Sequence, residues 1–109
     1  MKVAAIQLAI RYAVPDSSFA AAERLLVRAS REGAAIAALP ELATCGYIPN
    51  DEVWRYAEPL DGPTAAWAGA AARRFGLHVG AGFLKTDGSD FFNRYLIAAP
   101  DGTVCGRVR

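Results

Sequence analysis

Apolar residues run almost without a break through two short segments, residues 3–10 and 34–39. Runs that do not alternate with polar residues are typical of strands covered on both faces of a sheet. Between them, Pro15-Asp16-Ser17 supplies a turn and an N-cap candidate for an amphipathic helix over about Ser17–Glu32. The apolar stripe of this helix consists of Ala22, Leu25, Leu26 and Ala29. Gly33 suits the left-handed position that ends a helix. The order strand, helix, strand predicts two parallel neighbouring strands.

The second half of the chain predicts a long loop, another helix and three strands. Residues 43–61 show no sustained period, so we expect a loop with a helical turn near Glu52–Tyr56. Pro63 suits the first turn of a helix whose apolar face carries Trp67, Ala70, Ala71 and Phe75. Strands are expected over residues 77–84, 91–99 and 103–109, joined at Asp87-Gly88 and Asp101-Gly102. The pattern indicates an α/β fold in which two crossover units feed a β-meander.

Glu41 is the first candidate for chemistry. It follows the second apolar run in the sequence Leu39-Pro40-Glu41-Leu42, where Pro40 ends the strand because it lacks an N–H group. The carboxyl ends of strands in open α/β sheets are where ligand crevices form. We expect Glu41 to be largely buried there and suited to carry a proton. An exposed loop glutamate is the alternative, and position alone favours it.

Several further motifs stand in a fixed order along the chain. Thr44-Cys45-Gly46-Tyr47 follows Glu41, Gly62-Pro63 opens the second helix, and the later strands contain Gly80 and Gly82, Phe92-Asn93-Arg94-Tyr95 and Gly106-Arg107-Val108-Arg109. Together they resemble the beginning of the nitrilase superfamily, the carbon–nitrogen hydrolases. The resemblance implies the first half of an α-β-β-α sandwich, with residues 1–109 as the amino-terminal part of a domain that continues further.

The resemblance also implies a mechanism. The enzymes of this superfamily use a cysteine nucleophile, a lysine that stabilises negative charge and a glutamate that acts as general base and acid. Glu41 matches the glutamate; the lysine is expected directly after Arg109 and the cysteine further on. We therefore expect a longer parent to hydrolyse a small amide, carbamoyl compound or nitrile, and this chain alone to be inactive. Acyl transfer to an amine is also known in the superfamily.

Tyr47 and Asn93 are secondary candidates suggested by the same resemblance. Tyr47 is expected to form a wall of the substrate pocket or, equally well, to pack the loop onto the domain. Asn93 is expected to be a buried amide that supports the backbone near the site. Asp51, Glu52 and Glu58 are expected to be solvated loop charges.

The remaining reactive side chains are assigned structural roles. We expect Cys45 to be an unreactive thiol near the pocket, since a reactive cysteine needs an electropositive setting. Cys105 is expected in the core, and His78, the single histidine, as a structural residue. This set of residues offers no metal-ligand spacing, and no cofactor is expected.

Composition and charge limit the classes of partner that the chain is expected to bind. The chain of 109 residues is 53% hydrophobic, which argues against disorder, and its net charge of +1 comes without a basic cluster. We therefore expect a small-molecule partner, an amide or nitrile, rather than nucleic acid or a membrane. Two cysteines and the lack of a signal peptide favour the cytoplasm, and a homo-oligomer is expected. A non-catalytic fragment or interaction domain that pairs through its open sheet remains the alternative to an enzyme.

Overall fold

The computed structural model describes residues 1–109 and contains five strands, two α-helices and one 3₁₀ helix. The strands are β1 (Lys2–Ala5), β2 (Ala34–Ala38), β3 (His78–Thr86), β4 (Phe91–Ala98) and β5 (Val104–Val108). The helices are α1 (Pro15–Arg31) and α2 (Pro63–Phe75), and the 3₁₀ helix spans Asp51–Tyr56 in the long loop. No helix is both long and apolar enough to cross a membrane.

All five strands form one sheet in the order β1-β2-β3-β4-β5. The pairs β1–β2 and β2–β3 are parallel, whereas β3–β4 and β4–β5 are antiparallel. This confirms the two crossover units that feed a meander. Because α1 and α2 each link parallel strands with the same handedness, both helices pack on one face of the sheet.

The core lies between the helices and that face. Leu26 of α1 and Ala72 of α2 share one buried cluster with Val79, Phe83 and Leu96 of the sheet. Since side chains alternate along a strand, the residues between these, such as Gly80 and Gly82, face the other side. Neither α-helix covers this second face, which the 3₁₀ helix contacts only at one end, where Trp54 lies against Phe91.

Strand β1 is shorter and more exposed than expected. It ends at Ala5, which pairs with Ala38, the last residue of β2. The ladder stops there because its partner strand ends, apart from one further bond from Ile6 N to Ala38 O of 2.9 Å. The expectation that β1 is covered on both faces was also wrong, since β1 lies at an edge of the sheet and Val3 is 58% exposed.

The helix ends agree with the sequence at their glycines and differ elsewhere. Gly33 and Gly76 adopt positive φ angles of 79° and 68°, as helix-ending glycines do. Helix α1 begins at Pro15 and its N-cap is Val14, so the prediction of an N-cap within Pro15-Asp16-Ser17 was wrong. Proline fits this first position because its missing N–H would have had no partner there. Ala70 of α2 is exposed, so the predicted apolar face was wrong at that residue.

Cys105 is exposed rather than part of the core. The register between β4 and β5 shifts where Ile97 pairs with Gly106 and Ala98 pairs with Val104. Cys105 is thus the extra residue of a bulge on an edge strand, and no residue lies directly opposite it. A bulge is set by how two strands align, which the local sequence did not indicate.

Candidate functional site

The turn after β2 is bonded to β3, which fixes its position at the carboxyl edge of the sheet. Leu39 N donates to Gly80 O at 2.9 Å, and Ala43 N donates to Gly82 O at 3.0 Å. Between them Leu42 adopts a φ of 45°, a left-handed conformation unusual for a bulky residue. Such backbone strain clusters at functional sites. The hydrogen bonds on either side of Glu41 therefore hold the turn that carries it against β3.

Both carboxylate oxygens of Glu41 accept a hydrogen bond from a side chain. The Tyr47 hydroxyl donates to Oε2 at 2.5 Å, and Asn93 Nδ2 donates to Oε1. These donors come from different elements, the loop after β2 and the middle of β4. No lysine or cysteine hydrogen-bonds to this carboxylate.

Glu41 is exposed, so the expectation that it is largely buried was wrong. The reason lies in the layering of the fold, because Glu41 stands on the sheet face away from α1 and α2. Asn93 is exposed as well and binds a carboxylate rather than supporting backbone as a buried amide. The predicted place of Glu41 just after the end of β2 is confirmed. That Asn93 supports a functional site stays a prediction.

Tyr47 hydrogen-bonds to Glu41 through its hydroxyl, while the residue as a whole remains 56% exposed. A residue that packed the loop onto the domain would bury its ring, so the packing alternative is not supported. The hydrogen bond that Tyr47 donates to Glu41 raises the pKa of Tyr47, because the neighbouring carboxylate opposes formation of a second negative charge. The expectation that Tyr47 lines a substrate pocket stays a prediction.

Two glycines of β3 make room for this arrangement. A Cβ atom at Gly82 would lie 2.9 Å from Glu41 Cα, and one at Gly80 would lie 2.7 Å from the Tyr95 hydroxyl. That hydroxyl donates to Leu39 O at 2.9 Å, just before the turn. At both positions a side chain larger than that of glycine would collide with a neighbouring segment of the chain. The anchoring role of Tyr95 was missed.

Glu58 is buried, and the expectation of a solvated loop charge was wrong. Its carboxylate accepts bonds from Thr64 N at 2.7 Å and from Thr64 Oγ1 at 2.9 Å, at the start of α2. Burial raises the pKa of Glu58, although these two bonds oppose the rise. The spacing of Glu58 from Thr64 matches no common capping motif, so the sequence carried little signal for this contact.

Cys45 and His78 are the remaining candidate side chains, and neither hydrogen-bonds to Glu41. Cys45 is fully buried, and burial raises the pKa of its thiol. The expectation that this thiol is unreactive stays a prediction. His78 is half-buried with Nδ1 3.3 Å from Ala35 O, in keeping with the structural role expected for it.

Comparisons of the sequence and of the structure with known proteins point to the same family. Residues 2–109 match the family described as carbon–nitrogen hydrolase. A curated nitrilase from Pyrococcus abyssi is 32% identical over 112 residues, which cover the whole chain and 42% of that protein. A CN-hydrolase superfamily protein from Xanthomonas campestris, whose structure is known, superposes with a TM-score of 0.81 at 29% identity.

The structural match to the Xanthomonas protein covers 94% of this chain and 37% of that protein. A carbon–nitrogen hydrolase from Helicobacter pylori shares the fold, with a TM-score of 0.87 at 18% identity over 98% of this chain and 38% of its own. The chain thus spans less than half the length of each of these relatives.

Proposed function

This chain belongs to the carbon–nitrogen hydrolase family, and we propose that it supplies the general base of an enzyme that hydrolyses a non-peptide carbon–nitrogen bond. The observation that carries the proposal is the paired hydrogen bonding of Glu41 by Tyr47 and Asn93 at the carboxyl edge of the sheet. A carboxylate held at both oxygens has a fixed orientation, which proton transfer to or from a reacting group requires.

In the proposed mechanism Glu41 accepts the proton of a cysteine thiol and passes it to the leaving nitrogen. The thiolate attacks the carbon of the substrate and forms a covalent intermediate, which water then hydrolyses with Glu41 again as base. Neither cysteine of this chain suits the role of nucleophile. Cys45 is buried, which raises the pKa of its thiol, and Cys105 lies in the β5 bulge. The nucleophile is therefore proposed to come from another part of a longer protein.

The register of β5 supports the proposed position of the lysine. Val108 pairs with Tyr95, so Arg109 aligns with Arg94, and a residue that continued the strand would stand opposite Asn93. Opposite residues of an antiparallel pair have Cβ atoms about 4.5–5.5 Å apart and face the same side. A lysine at that place would stand beside Glu41, where its charge can stabilise a developing oxyanion.

The proposed substrate is a small amide, carbamoyl compound or nitrile, with amides favoured because the superfamily is mostly directed to amides. That the enzyme is cytoplasmic and that it forms a homo-oligomer both stay predictions. An interaction domain is the second candidate, and one observation favours it. Val3 and Val108 are 58% and 63% exposed on the sheet face that the helices leave uncovered.

The decisive experiment is Glu41→Gln in the longer protein, because glutamine keeps the shape of the side chain but cannot carry the proton. We expect turnover of a small amide to fall by at least about 100-fold, the lower end for a general acid–base, while circular dichroism shows an unchanged fold. Glu52→Gln, on the exposed loop, is the matched control and should retain full activity. Near-normal turnover by a folded Glu41→Gln variant would falsify the general-base assignment. The 109-residue chain by itself should show no turnover.

A further inference from the structure

The two groups that hold Glu41 differ in what they can do with a hydrogen bond. The amide nitrogen of Asn93, which faces Oε1, donates and cannot accept. The hydroxyl of Tyr47, which faces Oε2, can donate or accept by rotating about its C–O bond. The two oxygens of one carboxylate are therefore placed in chemically unequal surroundings.

We propose that Glu41 takes up its proton on Oε2 alone, and that Tyr47 is a positioning residue whose hydroxyl turns from donor to acceptor when it does so. This inference rests on the proposed function only for its catalytic meaning; the hydrogen-bond switch is a property of the side chains themselves.

The two oxygens of Glu41 differ in what happens to their hydrogen bonds when a proton arrives. A proton on the lone pair of Oε1 that faces Asn93 would point at the N–H of that residue, so two hydrogens would face each other and the bond would be lost. To keep a bond there the whole amide would have to turn over, whereas at Oε2 only a hydroxyl hydrogen has to rotate. A proton on Oε2 points at the oxygen of Tyr47, which then accepts it while the hydroxyl hydrogen turns to solvent. When Glu41 takes up the proton, an Oε2–H bond forms and the bond between that proton and the group that delivers it breaks. The electron pair of the broken bond stays on the delivering group.

The mobility required of each partner agrees with its place in the fold. Asn93 is held in the middle of β4, where residue 93 pairs with Leu84. Tyr47 lies on the loop after Gly46 and is 56% exposed, and its hydroxyl makes no hydrogen bond other than that to Glu41. The hydroxyl of Tyr95 on the same face already donates to Leu39 O and cannot replace it.

Solution NMR can follow separately the two side chains that hydrogen-bond to Oε1 and Oε2. The protein is labelled with ¹³C at tyrosine Cζ and with ¹⁵N in asparagine side chains, and is titrated through the range in which glutamates take up protons, about pH 3–6. We expect Tyr47 Cζ to shift with a single inflection in this range and Asn93 Nδ2 to move much less. Tyr12, an exposed tyrosine whose hydroxyl bonds to no side chain, is the internal reference and should not inflect.

The variants decide the origin of the inflection. Glu41→Gln should abolish it and also lower the pKa of Tyr47 toward the ordinary tyrosine value, whereas Glu52→Gln should leave both unchanged. A larger acid shift at Asn93 Nδ2 than at Tyr47 Cζ, or no acid shift at Tyr47, would overturn the proposal. Because no turnover is measured, this result is independent of whether Glu41 proves to be the catalytic base.

Discussion

Gly82 and Glu41 approach so closely that a Cβ atom at residue 82 would lie 2.9 Å from the Cα of Glu41. The same atom would lie 2.9 Å from Leu42 N and 3.0 Å from Pro40 O. All three contacts are with backbone, which cannot move aside as a flexible side chain can. The position of Glu41 therefore depends on the absence of a side chain on the neighbouring strand.

Gly82→Ala should displace the turn that carries Glu41. We expect a loss of stability of about 1–3 kcal/mol, the usual cost of forcing an extra carbon into a packed site, measured by urea denaturation. The Tyr47 pKa should also fall toward its ordinary value as the Glu41 contact is lost. Gly106→Ala is the matched control, since its nearest neighbour would be an Ile97 side-chain atom at an ordinary 3.6 Å. Equal stability of the two variants would contradict the close-packing argument.

The buried carboxyl of Glu58 should give the protein a characteristic pH dependence. Its raised pKa means that the folded protein binds more protons than the unfolded chain above the ordinary glutamate value, about 4.3. Stability should therefore fall as pH rises from that value through the raised pKa. In Glu58→Gln this part of the pH dependence should vanish from thermal unfolding curves. Glu52→Gln should keep it, and parallel profiles for wild type and Glu58→Gln would refute the assignment.

The two cysteines should differ sharply in reactivity. Iodoacetamide should alkylate exposed Cys105 readily and buried Cys45 only slowly, because burial raises the pKa of the Cys45 thiol and blocks access to it. Peptide mass spectrometry locates the adducts, and Cys105→Ser should abolish most labelling until urea unfolds the chain. An amide or ester substrate should likewise leave no acyl adduct on Cys45. Rapid acylation of Cys45 would instead make it the nucleophile.

The uncovered face of the sheet should make the isolated chain poorly stable or cause it to associate with itself. Val108 is 63% exposed on that face, and apolar side chains exposed to water favour contact with a second copy. Val108→Lys should shift the protein toward monomer in size-exclusion chromatography. Val14→Lys, at an exposed residue before α1, should not. A sharp, cooperative melt of a strict monomer would show that the chain is self-sufficient.

The sequence by itself determined the order and type of the elements and the places where they turn. These features depend on interactions between near neighbours in the chain. The apolar stripe of α1, the left-handed glycines Gly33 and Gly76 and the turn at Asp101-Gly102 each act within a few residues. The motif around Glu41 could be found for the same reason, because its proline and the strand before it are contiguous.

Only the tertiary structure decided which side chains are covered and which ones meet. Glu41 is exposed because both helices pack on the other face of the sheet, whereas Glu58 is buried because its carboxylate reaches the start of α2. Asn93 lies 52 residues from Glu41 and contacts it only because β4 pairs with β3 in one register. Register and layering are set by the packing of the whole chain, and a shift of one residue would turn Asn93 to the opposite face.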